Sequence, residues 1–300
     1  MATLREIKGR IQSVSNTKKI TKTMEMISAA KAKRAIDKVH AAQPYARKIS
    51  DLISSIGSLN TGVFHPLLRK PDQVKRVGIL VLTANRGLCG GFNNNVIKLA
   101  LAKVKEYKQS GIETEVYLVG KKAMSVFKYQ KVAFEKSFSH IDDKPVFNDA
   151  AELANIFMEK FETGHFDAAE IFFTKYFSSS RQSAFIERVL PLSIKVLDKA
   201  LGKPSDSNSP KNVVSNSAVF EPDEETIISE LLPRAIRMAY FQALLESIAG
   251  EQIARRIAMK SATDSATDMI KDMTRLYNRA RQAKITQEIS EIVAGADSVS

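Results

Sequence analysis

With a single cysteine, Cys89, the chain of 300 residues cannot close an internal disulfide, so nothing in its composition supports an oxidising compartment. No apolar run approaches the roughly 20 residues that cross a bilayer. The opening MATLREIKGRI has neither an apolar stretch nor a cleavage site, so it does not read as a secretion signal. Catalytic signatures are missing too. H-E-x-x-H, G-x-S-x-G, G-x-G-x-x-G and G-x-x-x-x-G-K-S/T do not occur. The four histidines, His40, His65, His140 and His165, lie far apart, and none has a sequence partner for a triad or a metal site. The expectation is a protein without catalytic residues, cofactor or metal.

Helix breakers are nearly absent from the first segment. Residues 2–56 hold one glycine, Gly9, and one proline, Pro44. Apolar residues recur there at alternating spacings of three and four: Leu4, Ile7, Ile11 and Val14, then Val39, Ala42, Ala46, Ile49, Ile53 and Ile56. That is a heptad stripe, which Gly57 ends. The last segment reads alike. Glu221-Pro222-Asp223-Glu224 is a helix start signal. Ile227, Leu231, Met238, Phe241, Leu245 and Ile248 begin a stripe. Met259, Ala262, Ala266, Met269, Met273, Leu276, Ala280 and Ala283 continue it in a shifted phase, and Ile285, Ile289 and Ile292 finish it. Pro233 is expected to kink the first turns and Gly250 to soften the middle.

At 1.5 Å per residue these helices span about 80 and about 105 Å. A globule of this size is only about 40–50 Å across, so both helices are expected to project and to bury their stripes against each other. The charge is divided accordingly. Residues 1–56 carry 12 Lys+Arg and 4 Asp+Glu, residues 57–222 carry 23 and 17, and residues 223–300 carry 10 and 12. The overall +12 suits nucleic acid, an anionic membrane surface or an acidic protein partner. Its concentration in the first helix allows electrostatic pairing with the slightly acidic last one.

Between them, residues 58–222 change character. Arg76–Thr83, Glu113–Val119 and Ala168–Tyr176 are short β-branched or aromatic runs, separated by helical stretches near 92–109, 121–129 and 148–163. This alternation predicts a parallel-type sheet covered by helices. Residues 202–212 form a polar turn-rich loop, and Val213–Phe220 is expected to return as a further strand. The fold class is therefore α/β with a long antiparallel coiled coil. N- and C-terminal shaft helices (1–57 and 223–300) flank an inserted Rossmann-like domain (58–222).

Three stretches carry possible chemistry. Arg86–Asn93 (RGLCGGFN) sits between a strand and a helix, where phosphate cradles occur, and two readings stand: a cradle, or a tight turn whose glycines allow close packing. Cys89 is likewise a nucleophile near a helix N-terminus or a small buried thiol. Lys18–Arg34 interrupts the stripe with basic residues on several faces, which suits a solvated face or a surface touched by a partner on more than one side. Arg255–Asp268 and Asn278–Glu291 mix small, polar and methionine side chains, as adaptable contact surfaces do.

The segments Ile20–Lys31 (ITKTMEMISAAK), Arg86–Asn93, Ile257–Ile270 (IAMKSATDSATDMI) and Tyr277–Ala296 (YNRARQAKITQEISEIVAGA) closely resemble, in order, the γ subunit of F-type ATP synthases. The resemblance runs from residue 2 to the end. It implies a coiled-coil shaft inside a hexamer of α and β subunits. The α/β domain would lie at the foot, against the ε subunit and the membrane rotor ring (the c-ring). Ion flow would turn the shaft and drive the catalytic β sites through their conformations, with no nucleotide on this chain and no role for nucleic acid.

Carried over residue by residue, the resemblance implies that Met24 and Arg255 contact the β subunit along the shaft. Arg281, Gln282 and Thr286 would engage a β loop near its top, and Glu221 would lie at the foot beside the ring. The aromatic expected just upstream of Glu221 is replaced by Ser217 and Ala218. The redox switch of plastid-type relatives needs a cysteine pair, which Cys89 alone excludes. The match begins at residue 2 without a leader, which favours a bacterial protein peripheral on the cytoplasmic face of the inner membrane. Two rivals remain: a Rossmann-like nucleotide-binding protein with a coiled-coil arm, and a basic coiled coil that binds nucleic acid. A near-neutral last segment and the lack of interleaved aromatics count against the second.

Overall fold

The computed structural model describes residues 3–58, 65–69, 71–192 and 224–297. A helix α1 runs from Leu4 to Ser58, and the last helix, α5, from Glu224 to Asp297. A single 3-10 turn, Pro66–Leu68, follows α1. Then come β1 (Arg76–Leu82), α2 (Phe92–Gln109), β2 (Glu113–Val119), α3 (Lys121–Tyr129), β3 (Lys136–Phe138), α4 (Phe147–Glu162), β4 (Ala168–Tyr176) and β5 (Gln182–Leu190). The loop predicted at 202–212, the strand predicted at 213–220 and Glu221 lie outside the described residues.

The strand order is β3-β2-β1-β4-β5, with β1 in the middle. The first four strands pair in parallel and β5 runs antiparallel to β4. The sheet is thus mixed rather than wholly parallel, because a short connection from β4 to β5 leaves room only for an antiparallel return. Alternation along β1 sorts its side chains. Val77, Ile79 and Val81 pack with Val96, Ile97, Ala100 and Phe127 of α2 and α3. Leu80 and Leu82 face Phe157 and Phe161 of α4, Leu232, Ile236 and Tyr240 of α5, and Ala46 and Ile49 of α1. The two long helices are therefore part of the domain's core on one face of the sheet. Lys31 of α1 also donates to Asp143 ahead of α4, and that hydrogen bond holds the Asp143 carboxyl below its ordinary range.

Contacts divide the chain into two compact units. One contains Ala30–Ala254; the other contains α1 up to Ala29 and α5 from Arg255. Pro44 and Pro233 both lie inside continuous helices. The heptad rhythm of α1 does not break at Lys18–Arg34. Positions Ile7, Ile11, Val14, Lys18, Thr21, Glu25, Ser28, Ala32, Ala35, Val39, Ala42, Ala46 and Ile49 are all buried or half-buried. Only the chemistry of the stripe changes, from branched apolar to polar and small. On α5 the predicted continuation holds at Met259, Ala262, Ala266, Met273 and Ala280, which are buried or half-buried, and fails at Met269, Leu276 and Ala283. Met269 is 49% and Leu276 52% exposed, whereas Thr263, Ala266, Ile270, Met273, Tyr277 and Ala280 are the covered positions.

Candidate functional site

The stem unit is two helices with few large side chains between them. Ile7, Thr21 and Ser28 of α1 and Arg255, Met259, Thr263 and Ala266 of α5 are buried. Thr21 meets Thr263 in this unit. Within the other, Val39 clusters with Leu245 and Ala249 while Ala46 and Ile49 join Leu232 and Ile236, so α1 and α5 run antiparallel there. Thr263 Oγ1 lies 2.8 Å from both Thr21 Oγ1 and the Met259 carbonyl, and Thr21 Oγ1 donates to the Lys18 carbonyl at 3.1 Å. A buried polar pair of this kind fixes register at some cost in stability. Thr263→Val leaves Thr21 without its cross-helix partner and is expected to cost about 1 kcal/mol. Replacing both threonines by valine should restore or exceed the parent stability, since two matched apolar groups leave nothing unpaired. Urea unfolding of the purified full chain reads both, and a double variant weaker than either single one would contradict the argument.

Large apolar side chains point outward on this unit. Ile20 (61%), Met26 and Ile27 on α1 and Ile257, Met269 and Leu276 on α5 are exposed. From residue 281 to 294 every position of α5 is exposed, Ile285, Ile289, Ile292 and Val293 included. Apolar surface of this extent marks a place where another molecule sits. The ion pairs Lys22–Glu25, Lys271–Asp268, Arg275–Asp272 and Lys284–Glu288 each lie within one helix and near the surface. Such pairs contribute little to folding and leave the charges available to a partner.

The predicted contact residues fall as follows. Arg281, Gln282 and Thr286 are exposed on α5; the i,i+4 spacing puts Gln282 and Thr286 on one face, with Arg281 turned about 100° from Gln282. The Thr286 hydroxyl is turned back to the Gln282 carbonyl at 3.0 Å. Met24 is half-buried, a turn beyond Thr21 on α1. Arg255 is 8% exposed, at the start of the α5 portion of the unit. The structure groups the first three and places Met24 and Arg255 elsewhere along the helices.

The glycine-rich turn has a different setting. In open α/β sheets a ligand sits at the carboxyl ends of the strands where the order reverses, here between β1 and β4. The turn after β1 leaves Arg86, Leu88, Gly90 and Gly91 exposed and sends Cys89 inward instead. Cys89 is 2% exposed and packs with Ala84, Phe92 and Ala254 of α5. Asn93 donates to its sulfur at 3.1 Å and accepts from the Ala84 amide at 2.9 Å. The crevice itself is filled by α5: a Cβ on Gly250 would stand 2.8 Å from Thr174 Cγ2 and 3.7 Å from Phe92 Cε2. Gly250 is thus a point of close approach between α5 and the end of β4. The adjoining cavity, lined by Thr83, Asn85, Val119, Ile141, Leu244 and Ser247, is about 30 Å³, room for water and not for a nucleotide. Of the two readings of the turn, the packed one fits. Among the described residues no cluster of His, Cys, Asp or Glu is placed to hold a metal ion, and no helix is long and apolar enough to cross a membrane.

Long N- and C-terminal helices around a central mixed sheet define the central-stalk fold of ATP synthases. The fold matches the rotor of the Euglena gracilis mitochondrial ATP synthase with a TM-score of 0.64 at 20% identity, over 94% of this chain and 98% of that one. It matches a chain of the OSCP/F1/c-ring structure from the same organism with a TM-score of 0.66 at 18% identity, over 99% and 94%. The model of the ATP synthase family matches residues 3–299. The chain is 49% identical over 300 residues to the ATP synthase gamma chain of Leptospira biflexa, covering both in full. It is 42% identical over 299 residues to that of Gemmatimonas aurantiaca, covering 100% of this chain and 99% of the relative. The chain belongs to the ATP synthase gamma chain family and is a central-stalk subunit of an F-type ATP synthase.

Proposed function

We propose that this subunit is a non-catalytic rotor, transmitting rotation between a membrane c-ring and a hexamer of α and β subunits. Its stem, within 1–57 and 223–300, would stand in the hexamer, and the domain 58–222 would meet the ε subunit and the ring on the cytoplasmic face of a bacterial inner membrane. Two observations carry this reading: the stretch 281–294 is exposed at every position and studded with isoleucine, and the α/β crevice is already filled by the chain's own helix. A surface built this way serves contact, and the fold keeps no room for a nucleotide where such folds hold one.

Arg281, Gln282 and Thr286, all exposed on the same short stretch of α5, then meet a β loop, Met24 and Arg255 act lower on the stem, and Glu221 acts at the foot. Copurification from the native membrane, with subunits identified by mass, tests the assembly; absence of α, β and c subunits from the complex would end it. Charge reversal, Arg281→Glu, is expected to lower ATP-driven ion pumping by about two- to fivefold, the worth of a rim charge contact of about 0.5–1 kcal/mol. Unchanged pumping would remove Arg281 from the contact.

A further inference from the structure

The end of β4 meets α5 through three consecutive residues. The Thr174 methyl lies where a Cβ on Gly250 would come within 2.8 Å. The Tyr176 amide donates to Glu246 Oε2 at 3.1 Å, and Gln242 Nε2 holds Glu246 Oε1 at 2.9 Å. Lys175, between them, reaches Glu187 Oε2 of β5 at 3.0 Å, and its ammonium also attracts the Glu246 carboxylate. The Tyr176 ring packs with Val39 of α1 and Leu245 of α5.

These charged groups are deeply placed: Glu246 is 5% exposed, and the Lys175 and Glu187 side chains 13% and 6%. Burial raises the Glu246 carboxyl above its ordinary range, against the hydrogen bond from Gln242 and the Lys175 ammonium. Buried ionic groups are poor stabilisers, and apolar side chains of like volume often do as well or better. What they supply is direction. The apolar contacts of α5 with the sheet resist separation, but hydrophobic attraction is non-directional and by itself sets neither the roll nor the slide of the helix. A carboxylate held to a backbone amide of β4, with a glycine notch one turn along the same helix, resists both motions.

We propose that Glu246 and Gly250 key α5 to the end of β4, so that torque on the α/β domain enters the long helix at this joint. Glu246 is a positioning residue for rotary coupling. The inference rests on the rotor reading above.

The test uses inverted membrane vesicles carrying the complete synthase, with ATP hydrolysis and ATP-driven ion uptake measured together against a rising opposing gradient. Protons are followed by quenching of an acridine dye and sodium by isotope uptake. With Glu246→Leu, hydrolysis without a gradient should stay within about twofold of the parent, while ions moved per ATP fall about threefold under load. Glu246→Gln, isosteric and still able to accept from the Tyr176 amide, should lose less, and it decides the matter if the leucine variant does not assemble. A ratio equal to the parent's at every gradient overturns the joint. So does a loss that lowers both activities together, the signature of less folded complex. If the parent vesicles hydrolyse ATP without moving ions, the rotor reading itself fails and the joint is not at issue.

Discussion

A chain ending at Ala280 is expected to fold and assemble normally and to lose about tenfold or more of ion-driven ATP synthesis. The described part of the removed stretch adds nothing to the core, because every position from 281 to 294 is exposed. The last covered positions of the seam, Tyr277 and Ala280, stay in place. A terminal segment with no buried contact opens at almost no cost, so thermal unfolding of the purified chain should shift by less than about 2 °C. The loss falls on coupling. Ile285, Ile289, Ile292 and Val293 leave together with Arg281, Gln282 and Thr286, the end of the outward surface that another subunit would grip. Reconstituted vesicles making ATP at the parent rate would contradict the contact role. Failure of the shortened chain to join the complex would show that assembly, too, depends on this end.

The long helices were legible because heptad spacing survives in plain residue identities: Ile7, Ile11 and Val14 at one end of α1, Val39, Ala42, Ala46 and Ile49 at the other. The middle of the seam was not, since burial there continues through Lys18, Thr21, Glu25 and Ser28, which a hydrophobic pattern scores as a break. Close helix approach accounts for this: small side chains pack where large ones would hold the backbones apart, and Thr21 and Thr263 satisfy each other.

The reverse error occurred on α5. Met269 and Leu276 look like core by identity, yet they are outward, while Ile270 and Tyr277 take the seam. An α-helix meant for two sets of neighbours carries two apolar stripes, and one chain's sequence does not say which is internal. Among strands, β1, β2 and β4 announce themselves by continuous β-branched runs. In contrast β3 is three residues long, and β5 mixes Glu187 and Arg188 into its run. Those charges are accommodated by Lys175 and Glu170 on the neighbouring strand, a pairing invisible until β4 and β5 are side by side. The contact roles of Arg281, Gln282 and Thr286 rest on family resemblance; spacing alone shows only that Gln282 and Thr286 share a face.

Gly120→Ala should be the most damaging single methyl added to the α/β domain. Gly120 links β2 to α3 with φ at +91°, and its amide donates to the Phe138 carbonyl at 3.0 Å. A Cβ there would lie 2.2 Å from the Thr83 carbonyl oxygen, and that oxygen belongs to backbone at the end of the central strand. With ψ at 144° the positive φ costs an alanine about 1–3 kcal/mol, and forcing the backbone apart adds about 1–3 more. The sum, about 4 kcal/mol, is a large share of the 5–15 kcal/mol typical of a folded protein. It corresponds to a melting point lower by about 10 °C for a chain of this size.

Gly111 supplies the control. Its φ is +70°, but nothing lies within 4 Å of its Cβ position, so Gly111→Ala carries only the conformational cost and should shift melting by about 3 °C. Scanning calorimetry of the two purified variants separates strain from collision. Equal shifts would mean that the β1 and β2 ends yield freely, and the turn would then not be the rigid corner its contacts describe.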